Sequence, residues 1–475
     1  MNVFIKNLSL YFSPTFLRGI TGLFVQIPLV TYYLGPEELG VFALITGLLF
    51  ILLPLSDSGI DINFQTNYYK RKDKEIFVFN ILFYRFTLTI FWITFFFLIY
   101  HFFSDYFLQD NKYFLYFLFI LGSYFFTFSN ITFIQVFVLN KNPKKIAFID
   151  TLKIISNLLL MFLLFEFYNL KILSLLISLL ITNFLINIIE LIFLKKYFKF
   201  RVKKKLYFYN LKFGLKTISM QLFGMSSFYL ERIIVNFFYG IYQLGIYYHA
   251  RTYYQFMAQG IKSITLVYNP NYLKLAEISG NKKFKYLLSL NKHLLSIVLI
   301  FGIAFVLISE HLISYLTHDK FTEAHSIVNI GFFTVINSVF FSFISSRLIV
   351  RKKINNIIFT SNIAQIFFIL LILVISYFFE YRNILIIISI FFLSNFISSL
   401  INYNFLSGEK KLFNELFKIF ILVNFLFLLT LIFESLLNLN FMSKIIIILS
   451  IFTLLFFYYY SIRKEVFKIL NEASN

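Results

Sequence analysis

The chain is a succession of apolar runs, each near the roughly 20 residues that carry an α-helix across a bilayer, separated by short loops of alternating charge. Fourteen such spans are read at residues 8–34, 39–60, 76–103, 113–139, 146–168, 172–194, 213–239, 244–268, 286–309, 326–350, 354–379, 383–406, 413–433 and 441–460. Of 475 residues, 59% are hydrophobic and only 14% charged, more apolar surface than a soluble fold of this length can hide. The chain reads as an all-α polytopic membrane protein.

The loops fix its orientation. Basic residues cluster before span 1 (Lys6) and after every even span: Lys70–Lys74 with Arg71, Lys141 with Lys144 and Lys145, then the run Lys195, Lys196, Lys199, Arg201, Lys203, Lys204, Lys205. The pattern continues with Lys274 and Lys282–Lys285, Arg351–Lys353, Lys410–Lys411 and Arg463–Lys468, while the intervening loops hold almost none. Cytoplasmic loops carry the excess of Lys and Arg, so both termini are expected inside and the number of spans is even. The net charge of +21 is therefore topological, and no nucleic-acid partner is expected. The longest basic run is expected on the cytoplasmic face against anionic lipid. Cysteine is absent, which excludes disulfides and thiolate chemistry. The first apolar segment is long and lacks a small-residue cleavage site, so it is expected to stay as helix 1.

The stretch from Thr31 to Asp61 carries the organisation within this frame. Tyr32-Tyr33-Leu34-Gly35-Pro36-Glu37-Glu38-Leu39-Gly40 predicts a tight hairpin between spans 1 and 2. Gly35 can end one helix in a left-handed conformation, Pro36 can open the next, and Glu37 and Glu38 suit a helix N-terminus. A second copy follows 205 residues later, where Gly240, Leu244 and Gly245 align with Gly35, Leu39 and Gly40. Similarity at a fixed offset is the mark of transporter repeats. The expected division is an N-lobe of six spans (1–194), a basic cytoplasmic linker (195–212), a C-lobe of six spans (213–407), and two further spans with a tail (408–475).

Two six-helix lobes, the LGPEELG hairpin, the Ser56-Asp57-Ser58-Gly59 segment and the QLGIYY segment resemble one family over essentially the whole chain. It is similar to the Wzx-type polysaccharide and O-antigen repeat-unit flippases of the multidrug/oligosaccharidyl-lipid/polysaccharide (MOP) exporter superfamily. The resemblance implies a flippase that moves undecaprenyl-diphosphate-linked oligosaccharide across the bacterial inner membrane by alternating access. Its partners would be that lipid-linked glycan, the membrane lipids, and polysaccharide polymerase and chain-length proteins. Fourteen spans resemble the lipid II flippase branch and some polysaccharide exporters, and depart from the twelve-helix drug-exporter layout.

A charge at membrane depth costs several kcal/mol and needs a reason. Arg18 falls in span 1, Arg85 in span 3, Glu231 and Arg232 in span 7, and Arg251 and Lys262 in span 8. The resemblance implies that spans 1, 2, 7 and 8 line the transport cavity, so that Arg18, Arg232, Arg251 and Lys262 face it. Guanidinium groups make paired hydrogen bonds to phosphate oxygens, which suits a diphosphate. The plainer alternatives for each are snorkelling or an ion pair that docks helices.

Asp57 and Asp61, one turn apart at the cytoplasmic end of span 2, and Glu231 are candidates for coupling or gating; capping of the neighbouring basic loop is the alternative for the two aspartates. Glu190, and Asp150 with Lys153, read as structural. His311, His318 and His325 recur every seventh residue, too far apart for one metal, and read as a solvated external turn. No phosphate-binding loop occurs, and neither cofactor nor metal is expected. Three alternatives stand against the flippase reading. A drug or cation exporter of the same fold would favour acidic cavity residues. A membrane polysaccharide polymerase or ligase would need a large external loop, and the longest here, 309–325, is short. A non-catalytic scaffold would not need charges in equivalent helices.

Overall fold

A computed structural model describes the backbone of residues 17–350 and 384–437, apart from breaks at 58, 69–70, 108–110, 141, 279–280 and 407–409, with isolated residues beyond. Spans 11 and 14 and Ser58 lie largely or wholly outside the described residues. Among those described there is no strand, and eight helical segments are long and apolar enough to cross a membrane. These coincide with spans 2 to 6, 9, 10 and 13 of the sequence reading; the chain is a multi-pass α-helical membrane protein.

The helices, in chain order, are α1 (Ile27–Tyr33), α2 (Pro36–Gly47), α3 (Leu49–Asp57), α4 (Ile60–Asn67), α5 (Lys74–Phe107), α6 (Asn111–Phe125) and α7 (Asn130–Leu139). They continue as α8 (Pro143–Tyr168), α9 (Ile172–Leu194), α10 (Lys204–Ile278), α11 (Asn281–Thr317), α12 (Ala324–Val350), α13 (Ile384–Asn404) and α14 (Lys410–Leu437). The chain forms two compact units, Tyr32–Gly245 and Met1–Thr31 with Ile246–Asn475. The cuts fall at the two hairpins, whereas the repeat boundary of the sequence reading falls at the basic linker; packing and internal similarity partition the chain differently.

In the Tyr32–Gly245 unit, α9 packs against α8, α6 and α7, while α3 lies against α5 and α6. Leu52, Phe117, Leu121 and Tyr124 form one buried apolar cluster, and Ile45, Ile120, Ile172 and Leu176 another. Pro36 opens α2 at its first turn, as expected, where its missing N–H has no intrahelical partner. The Glu38 carboxylate accepts the Gly35 N–H at 2.7 Å and also pairs with Lys171 at 3.0 Å. Gly35 itself is extended (φ −90°, ψ 178°), not left-handed. It serves as the N-cap of α2, a position that takes extended backbone. The positive φ falls instead on its counterpart Gly240, at 81°, which breaks α10 in the middle.

The two hairpins meet inside this unit. A Cβ on Gly40 would lie 2.0 Å from the carbonyl oxygen of Ile241, and a Cβ on Gly245 would lie 1.7 Å from that of Pro36. The 205-residue offset maps one contact onto the other, Gly40 to Gly245 and Pro36 to Ile241. The motif glycines thus let two helix backbones touch, the approach that small residues permit between membrane helices.

In the other unit, α12 packs on α11, α13 and α14. Phe340 stacks on Phe420 at 4.0 Å and Phe333 meets Phe427 edge-on at 4.8 Å. A π-helical turn over Gly22–Gln26 precedes α1, and Thr31 at the end of this segment accepts a bond at its carbonyl from Lys320 Nζ (2.8 Å). The loop after α11 turns through His318 (φ 49°) and Asp319 (φ 61°).

Candidate functional site

Local breaks in span helices place the polar groups. Gly59 is left-handed (φ 69°), which separates α3 from α4 and ends α3 on Asp57. The span formed by α6 and α7 is interrupted between Phe126 and Ser129, where backbone bonds run three residues apart, as in Thr127 N–H to Tyr124 carbonyl (3.0 Å). That interruption frees the Phe128 carbonyl, which Arg85 of α5 binds through Nη1 at 2.5 Å. Arg85 Nη2 donates to the Asp57 carboxylate, and both residues are buried. Asp57 and Arg85, singled out separately in the sequence, are thus one buried ion pair joining α3 to α5.

Beside it lies a second polar group, centred on a residue for which the sequence predicts a structural role. Glu190 of α9 is buried and accepts bonds at both oxygens, from Ser129 Oγ (2.5 Å) and Asn130 Nδ2 (2.7 Å). Asn187 donates to Ser129 at 2.8 Å, and Asn183 to Ser123 at 2.7 Å. One face of α9 is therefore polar and turned into the bundle, and the Arg85 and Lys153 charges act on Glu190 from neighbouring helices. The signal was available: Asn183, Asn187 and Glu190 recur at helical spacing in an otherwise apolar run.

The candidate substrate-binding residues divide between the units. Arg232 of α10 is buried in the Tyr32–Gly245 unit; its guanidinium binds the Ala43 carbonyl and Thr46 Oγ1 (3.2 Å) and lies 4.9 Å over the Phe50 ring. This arrangement docks α10 onto α2. Glu231 is fully buried beside it. In the other unit, Arg18 is half-buried on the helical segment before the π turn, and Arg251 of α10 is buried at 3% exposure. The neighbouring His249 is buried too, with its ring 4.4 Å from Phe321 and its Nε2 3.1 Å from Tyr253 Oη. Lys262 and Asp61 lie on α10 and α4, but their side chains are outside the described residues. Among the described residues no cluster of His, Asp and Glu is arranged to hold a metal.

Chemically, these groups offer fixed positive charge in an apolar setting. Arg232 and Arg251 are the buried guanidinium groups of the candidate set among the described residues.

The fold is shared with known transporters. Over 96% of this chain and 99% of the other, it matches the inward closed conformation of the lipid II flippase MurJ at a TM-score of 0.71 and 16% identity. It matches the Vibrio cholerae MATE transporter VcmN at a TM-score of 0.54 and 12% identity, over 87% of this chain and 99% of that one. A MOP superfamily transporter from Pyrococcus furiosus matches at 0.52 and 11% identity, over 85% and 92%. No curated protein sequence matches the chain. The family model described as polysaccharide biosynthesis protein matches residues 5–273. That span takes in the first hairpin, the Asp57–Arg85 pair, the basic linker and all the cationic candidates, and the chain belongs to the polysaccharide biosynthesis protein family.

Proposed function

We propose that the protein is a flippase that moves undecaprenyl-diphosphate-linked oligosaccharide repeat units of a surface polysaccharide, such as O-antigen or capsule, across the bacterial inner membrane by alternating access. The observation that carries this reading is the sharing of a fold with a lipid II flippase over nearly the whole chain, in a member of a polysaccharide biosynthesis family. The cationic residues support it. Arg18, Arg232, Arg251 and Lys262 sit in spans 1, 7 and 8 at membrane depth, and a diphosphate leaving the cytoplasmic face needs fixed positive charge to replace its hydration. Arg18 and Arg251 carry the substrate role in this proposal, with Lys262 below them. Arg232, already bonded to Ala43 and Thr46, contributes its field and holds α2 in place. Asp57, Asp61 and Glu231 are the coupling or gating groups, Asp57 acting through its pair with Arg85.

The test is complementation of a strain lacking this protein. Wild-type chain restores surface glycan, and Arg18→Ala and Arg251→Ala each reduce it about ten-fold or more while lipid-linked repeat units accumulate on the cytoplasmic face. Normal display from both variants would refute the substrate assignment. Restored resistance to cationic drugs, with no change in glycan, would favour an exporter.

A further inference from the structure

The segment joining α9 to α10 is built more firmly than a connecting loop requires. Asn80 of α5, itself buried, donates Nδ2 to the Arg201 carbonyl at 2.9 Å and accepts the Lys203 N–H at 2.8 Å. Lys203 Nζ bonds Asp73 at 2.8 Å, and Lys199 pairs with Glu75 at 2.5 Å. Rings complete the fastening: Phe198 and Phe200 lie 6.2 and 5.3 Å from Phe79. The strap is thus held flat against the loop end of α5.

What it presents outward is a mixed surface. Phe200 is 85% exposed and Val202 is exposed beside it, flanked by exposed Lys195, Lys196, Arg201, Lys204 and Lys205. An ordered loop that displays a phenyl ring among cations is poorly matched to water alone. It is well matched to the boundary between headgroups and acyl chains, where aromatic rings settle and basic side chains reach phosphate. The strap also begins at Leu194, the last residue of α9, which is one of the helices long and apolar enough to cross a membrane.

We propose that residues 195–205 form a docking surface for the anionic phospholipids of the cytoplasmic leaflet, with Phe200 seated at the headgroup boundary and Lys195, Lys196, Arg201, Lys204 and Lys205 binding their phosphates. Charge complementarity selects this occupant: of seven basic side chains in the strap and first turn of α10, Lys199 pairs with Glu75 and Lys203 with Asp73, which leaves the strap with a net positive surface. The surface shares no residue with the cationic candidates Arg18, Arg232, Arg251 and Lys262, so its failure would leave the flippase reading intact.

The chain has one tryptophan, Trp92, so W92F combined with F200W carries a single reporter. The full chain is reconstituted in phosphatidylcholine nanodiscs with and without phosphatidylglycerol. The F200W emission is expected to shift to the blue with phosphatidylglycerol and to be quenched by lipids brominated near the headgroup, with protection from iodide. Iodide quenching alike in both disc types would overturn the proposal. Separately, native mass spectrometry of the chain bearing K195Q, K196Q, R201Q, K204Q and K205Q should show at least a ten-fold drop in retained phosphatidylglycerol, about five-fold being the expectation per cation in contact. Unchanged phospholipid retention, or loss of bound polyprenyl diphosphate instead, would overturn it.

Discussion

Gly40 and Ile241 touch backbone to backbone: a methyl group on Gly40 would sit 2.0 Å from the Ile241 carbonyl oxygen, closer than any real contact. Gly245 and Pro36 repeat the relationship at 1.7 Å. Neither carbonyl can rotate away as a side chain would, so the helices themselves must part to admit a Cβ.

Gly40→Ala and Gly245→Ala are each expected to cost about 1–3 kcal/mol through overpacking. Together they should cost less than their sum, because either one already spreads the same crossing. Gly19→Ala, helical and with nothing within 4 Å of the new methyl, should carry no such cost and gain up to about 1 kcal/mol of helix propensity. Thermal unfolding of the purified variants in detergent, followed by size-exclusion fluorescence, measures all four.

The Asp57–Arg85 pair predicts a strongly non-additive cycle. Asp57→Leu alone leaves a buried guanidinium without its counter-charge and should cost about 3–5 kcal/mol. Adding Arg85→Met removes that charge and should return most of the loss. A double-mutant cycle on the same unfolding measurement reads the coupling.

Asp73, in the loop between α4 and α5 and outside the spans, gives a pH signature. The bond from Lys203 holds its carboxyl below the usual carboxylate range, with burial opposing. A group whose folded value is depressed stabilises the fold above the unfolded value, near pH 4, and loses that contribution as pH falls through the folded value. The pair is largely exposed, so the effect should stay below about 1 kcal/mol and shrink with salt. Asp73→Asn should flatten the acid limb of stability against pH, and Lys203→Gln should do the same.

Topology is open to direct labelling, since the chain has no cysteine to remove first. Single cysteines at Tyr242 and Asp319 should react with an impermeant maleimide in intact cells, and one at Lys204 only after permeabilisation. Labelling at Lys204 in intact cells would invert the assignment.

The sequence spoke most clearly where local chemistry decides the outcome. Apolar length marks the spans, and Pro36 with Glu38 marks the start of α2, because both act within a turn or two of backbone. It was less clear where the partner is distant. Asp57 and Arg85 lay at the same end of adjacent spans, a hint of pairing, but the Phe128 carbonyl that completes the site becomes available only through a helix break. The resemblance implies a cavity position for Arg232; its bond to the Ala43 carbonyl has no side-chain signature. Gly35 read as left-handed because glycine tolerates that region, yet an N-cap takes extended backbone, and the positive φ went to Gly240. For the substrate role of Arg18, Arg251 and Lys262, complementation is the measure.

The crossing of the two hairpins is built like the interface of a symmetric dimer, written into one polypeptide. Residue 40 meets residue 241 and residue 245 meets residue 36, so each half donates both a glycine and a carbonyl, as identical subunits do across a two-fold axis. Such an isologous contact is self-complementary. Exchanging the two hairpin segments between the halves should preserve it, whereas altering either one alone breaks a match that needs both.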